Sequence, residues 1–319
     1  MCRAGVMFRL LFGCGVVWSA SLSATVVQAG GMPMSDVTVS SFPALSSMNA
    51  LWQARYGTRP PTPPLPESPV ARSLMAHRSV RAFSPTALPE GVLEAAVAAA
   101  QSASTACNMQ AWSVVAVQDE QKRARIAELA GEQAFIAQAP LFLAWVADLS
   151  RLEQVGRAQD CALPGLDMLD TFVTSVIDTA LAAQNAAAAL ESYGLGIVYV
   201  GAVRNQPEAI ATELGLPPRA LAVCGMSVGY PDRNHPTSIR PRLPQHVVLH
   251  RERYDAQPSV PADIAAYDER VRAARASQDQ PARSWSESVL ARLGNAAALH
   301  GREHLPQALR AMGFRLDQA

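Results

Sequence analysis

From residue 68 onward, apolar positions recur alternately at helical and at extended spacing. Ser68-Pro69 reads as an N-cap followed by proline at the first helical position. Val70, Leu74 and Met75 then form an apolar stripe on a short helix ending near His77. Pro89 opens a second helix with Val92, Leu93, Ala96, Val97 and Ala100 on one face. Trp112 to Val117 is a short strand, and Asp119 caps a helix that carries Ile126 and Leu129 and stops at Gly131. Leu141 to Ala147 is an unbroken apolar run of strand length, the pattern of a strand buried on both faces.

The longest periodic segment is 166–193, ended by Gly194, with Phe172, Val176, Ile177, Ala180 and Leu181 as a wide stripe and four alanines at 186–189. A helix apolar nearly all round must be covered on several sides, and its small residues admit a second helix closely, so it is the candidate core of a dimer. Val198 to Val200 and Ala222 to Val228 read as two more strands, with a helix from Pro207 to Leu214 between them. The chain from Pro261 reads as helical, and there is no internal repeat. Helices and strands alternate, so the expected class is α+β, a single sheet wrapped by helices.

The N-terminal part departs from this pattern. Residues 58–69 hold six prolines and cannot form a helix or a central strand, so 34–67 is expected to be a Pro-rich arm ahead of a folded domain at 68–319. Residues 1–33 read two ways. Arg3, Arg9, the apolar stretch Leu10 to Trp18 and Val27-Gln28-Ala29 resemble a secretory signal. Gly13 and Gly15 interrupt that stretch, and Met32 or Met34 is an alternative start of translation. The first reading implies export, the second a cytoplasmic protein.

Composition narrows the function classes. The chain has 319 residues, 49% of them apolar, with 27 basic against 27 acidic side chains. Zero net charge gives no global field toward nucleic acid, and no later segment has the character of a membrane span, so neither partner is expected. Lys122 is the only lysine, so the other 26 cations are arginines and each weighs less as a sign of anion recognition. Five scattered cysteines (Cys2, Cys14, Cys107, Cys161, Cys224) form no C-x-x-C pair and read as reduced, mostly buried thiols, with no metal set.

No nucleophile elbow, phosphate-binding Gly-rich loop or zinc motif is present, and an enzyme lacking these borrows its chemistry from a cofactor. Three stretches stand out. His77-Arg78-Ser79-Val80-Arg81 gathers three potentially cationic side chains and a hydroxyl, a set that satisfies a phosphate monoester and also suits a solvated helix end. In Arg240-Pro241-Arg242-Leu243-Pro244 the prolines force an extended chain, so both arginines point the same way, about 7 Å apart; an exposed basic loop reads the same. Gly194 to Ala202 is rich in small residues, which suits either close backbone approach to a flat ligand or tight internal packing.

Taken in order, HRSVRAF, GEQAFIAQAPLFLAWVAD, DTALAAQNAAAALESYGLGIVYVGAVRN, CGMSVGYPD and RPRLP resemble the FMN-dependent nitroreductase family, and most closely its oxygen-insensitive, NADPH-preferring group A branch, which includes flavin reductases. The resemblance runs from about Pro69 to Gly313. It implies a homodimer with a central mixed sheet and FMN at the subunit interface. By resemblance His77, Arg78, Ser79 and Arg81, with Arg240 and Arg242, hold the ribityl phosphate side. Thr105 and Gln133 contact the isoalloxazine ring, and Tyr199, Val200, Gly201 and Ala202 line it with backbone groups. Three departures are visible: Ser104-Thr105-Ala106-Cys107 replaces a serine-rich turn, Gly201-Ala202 replaces Gly-Gly, and Arg240 replaces a lysine.

Residues 233–319 hold 13 arginines against 9 acidic residues, and in the branch this region carries the arginines that receive the extra phosphate of NADPH; Arg302 and Arg275 are the matching candidates. The implied activity is two-electron ping-pong transfer from NADPH through FMN to nitroaromatics, quinones or flavins, with no side-chain acid or base. A flavin reductase supplying free reduced flavin and a non-enzymatic, exported flavin-binding protein are the alternatives.

Overall fold

The computed structural model describes residues 47–255 and 260–316. The signal-like stretch, with Cys2 and Cys14, lies outside them. In chain order the elements are helices α1 (Met48–Tyr56), α2 (Pro69–Met75) and α3 (Val92–Gln101), strand β1 (Trp112–Val117), helices α4 (Glu120–Leu129) and α5 (Ala134–Gln138), strand β2 (Leu141–Asp148), helices α6 (Ser150–Ala158) and α7 (Leu169–Ser192), strand β3 (Gly196–Val200), helix α8 (Pro207–Leu214), strand β4 (Ala220–Gly229), and helices α9 (Gln245–Val248), α10 (Val260–Ala276), α11 (Trp285–Leu293) and α12 (Leu305–Ala311).

The four strands form one sheet in the order β1-β2-β4-β3, and all three pairings are antiparallel. The expected mixed character enters only through a parallel bridge between Ser79 and Ile197, beside which the Val80 N–H donates to the Ile197 carbonyl at 2.9 Å. The β2–β4 register shifts between Trp145 and Val146, where Cys224 and Ala222 are the consecutive partners, so Val223 is an extra residue on β4.

β2 is buried along its whole length, and its alternation sorts its side chains into two cores. Leu141, Leu143 and Trp145 pack with α3 and α7 through Val92, Ala96, Ala100, Ala183 and Ala187. Phe142 and Ala144 pack on the other face with Ile126 of α4, Ile136 of α5 and Ile210 of α8. A third cluster joins Leu149, Leu166, Leu221, Leu309 and Phe314 beneath α12.

The structure corrects the sequence reading at five places. α1 lies inside the stretch read as an arm, with Met48, Leu51, Trp52 and Arg55 buried, and the proline run after it is free of helix. α3 starts at Val92, because Pro89 and Glu90 belong to a turn in which Gly91 takes φ 74°, a left-handed conformation open to glycine. α7 starts at Leu169, because Pro164–Asp167 form a separate 3-10 turn. The buried face of α7 is its small and polar one (Ser175, Asp178, Thr179, Ala182, Ala183, Ala186, Ala187), which brings the helix close to the sheet, whereas Ile177, Ala180 and Leu181 of the expected stripe are exposed. Finally, Cys107, Cys161 and Cys224 are free but none is fully buried: Cys107 sits on a surface turn, and Cys161 and Cys224 are half-buried, the latter within β4 opposite Trp145.

Candidate functional site

The His77–Arg81 segment follows α2 directly and is pinned to β3 by the Ser79–Ile197 bridge. His77 Nδ1 lies 2.6 Å from Glu191 Oε1, at the last turn of α7. Glu191 is also the charge that partly offsets the effect of burial on Arg78, whose guanidinium is held below its ordinary value chiefly by desolvation. Arg81 is likewise lowered, first by desolvation and then by the charge of Arg240, and it lies over the Phe135 ring at 6.0 Å. Residues 77–81, the Gln133–Phe135 turn and the 240–242 loop therefore converge at one end of β3.

Arg240 and Arg242 are exposed, as is Arg81. The Arg242 guanidinium donates to the Pro241 carbonyl at 3.0 Å, and both loop arginines line a cleft of about 210 Å³ with Ser238, Tyr267 and Trp285. Arg55, which lies beside Arg242 and carries a like charge, is lowered by burial first and by Arg242 second. A phosphate fits this set. Arg81 with Arg240, and Arg55 with Arg242, are like-charged pairs that a dianion relieves, and guanidinium forks match its oxygens.

Thr105 organises its own turn. Its hydroxyl donates to Asp178 Oδ2 at 2.5 Å and accepts from the Gln110 N–H at 2.9 Å, while the Ala106 N–H donates to Asp178 Oδ1 at 3.1 Å. Cys107, Asn108 and Gln110 all have left-handed φ values of 50–55°, so Thr105 and buried Asp178 hold a strained turn in place. Gln133 caps the start of α5, and its side-chain amide donates to the Gly131 carbonyl at 3.1 Å.

At the end of β3, Val200 is buried and Tyr199 half-buried; burial, then Cys224 and Glu191, push the Tyr199 hydroxyl up, keeping it protonated. The methyl of Ala202 packs against the core containing Val200 and Val203, so the Gly-to-Ala departure is absorbed there. Gly201 is open. A side chain at that position would stand 3.4 Å from Arg204 Nη2 and 3.6 Å from Arg302 Nη1. Arg302 is lowered by desolvation, then by Arg292 and Arg204, and Arg204 by desolvation with a contribution from Arg292. Arg204 and Arg302 thus flank Gly201, with the charge of Arg292 acting on both. Arg275 does not join them: its Nε donates to the Pro281 carbonyl at 2.9 Å, and it lines the cleft with Arg240 and Arg242.

Sequence reasoning missed Arg55, Glu191, Arg204 and Arg292. Arg204 and Glu191 lie within stretches already singled out. Arg55 carried a signal in the spacing of Met48, Leu51 and Trp52 after Ser47. Arg292 carried none, since its place is set by how the C-terminal helices fold back.

Convergent arginines on a helix-flanked antiparallel sheet suit an anionic ligand. The chain belongs to the nitroreductase family: residues 74–230 match the nitroreductase family domain and 240–317 its C-terminal domain. It is 33% identical over 253 residues to the FMN reductase [NAD(P)H] of Bacillus subtilis, covering 78% of this chain and 99% of that one. It is 35% identical over 204 residues to the oxygen-insensitive NADPH nitroreductase of Salmonella typhimurium, covering 64% and 81%. Among solved structures it superposes on the hypothetical oxidoreductase YcnD of Bacillus subtilis with a TM-score of 0.74, at 31% identity and over 79% of this chain and all of that one. Among the described residues, no helix is long and apolar enough to cross a membrane.

Proposed function

We propose that this member of the nitroreductase family is an FMN-dependent NADPH oxidoreductase that reduces nitroaromatics, quinones or flavins by two electrons. One observation carries the reading: His77–Arg81 and Arg240–Arg242, more than 150 positions apart in sequence, are brought together, with Arg81 beside Arg240 and Arg55 bonded to the carbonyls of both His77 and Arg240. When bound, FMN supplies the hydride relay between NADPH and the acceptor. The protein's own residues do the rest. Arg78, Arg81, Arg240 and Arg242, with His77 and Ser79, hold the phosphate. The turn fixed by Thr105, together with Gln133 and the backbone of Tyr199 to Ala202, borders the ring. Arg204, Arg292 and Arg302 offer a second anion site, suited to the extra phosphate of NADPH. A positive surround of this kind stabilises a reduced, anionic ring by fixed charge, and no side-chain acid or base is required.

The working unit is proposed to be a homodimer. Val173, Ile177 and Leu181 of α7, with Val70 and Leu74 of α2, form an exposed apolar face that a second copy would cover. Reliance on NADPH suits a cytoplasmic protein, and the mass of the native N-terminus tests that compartment. The decisive experiment for the activity is anaerobic titration of the purified chain with NADPH. A yellow protein bleached at one equivalent per chain supports the reading, and a colourless chain that FMN does not reconstitute refutes it. Because a relative is named FMN reductase, free flavin is the rival acceptor, and comparing kcat/KM for flavin, quinone and nitroaromatic under NADPH ranks them.

A further inference from the structure

Helix α1 precedes both segments matched to the family. Ser47 caps its start, and its buried face repeats at helical spacing as Met48, Leu51, Trp52 and Arg55. The last of these is a cation, only 7% exposed. A buried guanidinium is unfavourable unless its donors are used. Arg55 uses them on backbone: Nη1 donates to the Arg240 carbonyl at 3.0 Å, and Nη2 to the carbonyls of Met75 at 2.7 Å and His77 at 3.2 Å. Its own carbonyl accepts from the Arg242 N–H at 2.9 Å. One residue therefore joins segments that lie 22 and 185 positions away.

Two side chains of α10 complete the grip on the loop. Tyr267 donates its hydroxyl to the Pro241 carbonyl at 3.1 Å, and Arg270 reaches the Arg242 carbonyl at 3.5 Å. The consecutive carbonyls of 240, 241 and 242 are thus all held by side chains of α1 and α10. The acceptors around Arg55 lie in several directions, a pattern that a planar fork satisfies and a point-charge ammonium does not.

We propose that Arg55 is a positioning residue for the FMN phosphate and that α1 is a clasp setting the spacing between His77–Arg81 and Arg240–Arg242. The inference rests on the reading that those two segments hold the phosphate. Loss of the clasp should weaken recognition of the phosphate and leave the ring contacts alone.

The test compares FMN with riboflavin, which lacks the phosphate. Affinities for both are measured by flavin fluorescence on the full chain carrying Arg55→Gln, Arg55→Lys or Tyr267→Phe, together with FMN release from each holoprotein on dilution and thermal midpoints. Arg55→Gln is expected to weaken FMN by about 10- to 100-fold and riboflavin by less than about twofold, the scale of losing preorganised contacts to a charged group. Arg55→Lys should recover part of the loss, and Tyr267→Phe should show a smaller loss of the same selective kind. Equal weakening of both ligands, or unchanged FMN affinity, overturns the clasp; if Arg55→Gln does not fold, the lysine and Tyr267 variants decide by the same comparison. Arg78→Ala and Arg242→Ala separate the two levels. If they erase the preference for FMN while the clasp variants keep it, the clasp alone falls; if they too keep it, the phosphate reading falls and takes the clasp with it.

Discussion

Arg204 and Arg302 hold their guanidinium groups over the same backbone position, 3.4 and 3.6 Å from where a side chain at Gly201 would begin. Arg204 comes from the turn after β3, and Arg302 from the C-terminal region 98 positions later, so the pair exists only in the folded chain. Removing one charge-assisted contact to a phosphate costs about 1.5–3 kcal/mol. Arg302→Ala is therefore expected to lower kcat/KM for NADPH by about 10- to 100-fold while changing that for NADH little. Equal losses with both donors would remove Arg302 from the recognition of the extra phosphate.

Arg78→Ala and Arg242→Ala should each weaken FMN binding by about 10- to 100-fold, by the same reckoning. Flavin content after gel filtration at low protein concentration checks this. Two fully yellow variants would show that the cofactor lies elsewhere.

The face carrying Val173, Ile177 and Leu181 predicts a mutation that separates subunits. Ile177, 52% exposed in the single chain, would be buried against its symmetry mate in a dimer, and a carboxylate there would be desolvated without a partner. Ile177→Asp should move the light-scattering mass from dimer to monomer. A variant that remains dimeric would place the seam on another surface.

Asp148, at the end of β2, gives a pH prediction. Burial pushes its carboxyl up, but hydrogen bonds from the Ser113 and Ser150 hydroxyls and the Ser150 N–H, with the charge of Arg151, outweigh that and leave it below the usual carboxylate value. A group depressed in the folded state stabilises fully above its unfolded value of about 3.9, and that contribution disappears as pH falls through the lower folded value. Urea unfolding should show Asp148→Asn less stable than the parent by about 1.5–3 kcal/mol at pH 7. The gap should begin to shrink near about pH 4 and close only below the lower folded value. A gap independent of pH would mean that the ionised form contributes nothing.

Gly225 tests the packing of the second core. A Cβ there would lie 2.2 Å from Phe142 Cζ, so the ring occupies the space that any side chain would need. Gly225→Ala should cost about 1–3 kcal/mol through overpacking. A lower urea midpoint with an unchanged slope is the expected signature.

Local signals marked the elements well where the chain itself sets their ends. β1 runs from Trp112 to Val117 and α8 from Pro207 to Leu214, as the apolar run and the proline at the helix start indicate. Ends set by turns were less legible: the 3-10 turn at Pro164–Asp167 carries the same apolar spacing as the helix that follows. The site was legible in part for the same reason. The cations at 77–81 and 240–242 lie close together in sequence, whereas Arg55, Arg204 and Arg292 acquire their roles only through tertiary contacts, against a background of 26 arginines in which no single one stands out. α1 was hidden by the proline run beside it, which dominates the composition of 34–67 although it begins only after the helix has ended.

The extra residue at Val223 has a consequence beyond the strand that contains it. Unmatched by β2, its carbonyl accepts from Arg204 Nη1, so a local surplus of one amino acid anchors one of the cations proposed to receive the donor's phosphate. Deleting that single position would restore ladder continuity and unmoor the arginine at once, so a change in the length of β4 would be felt at the proposed donor site as well as in the sheet.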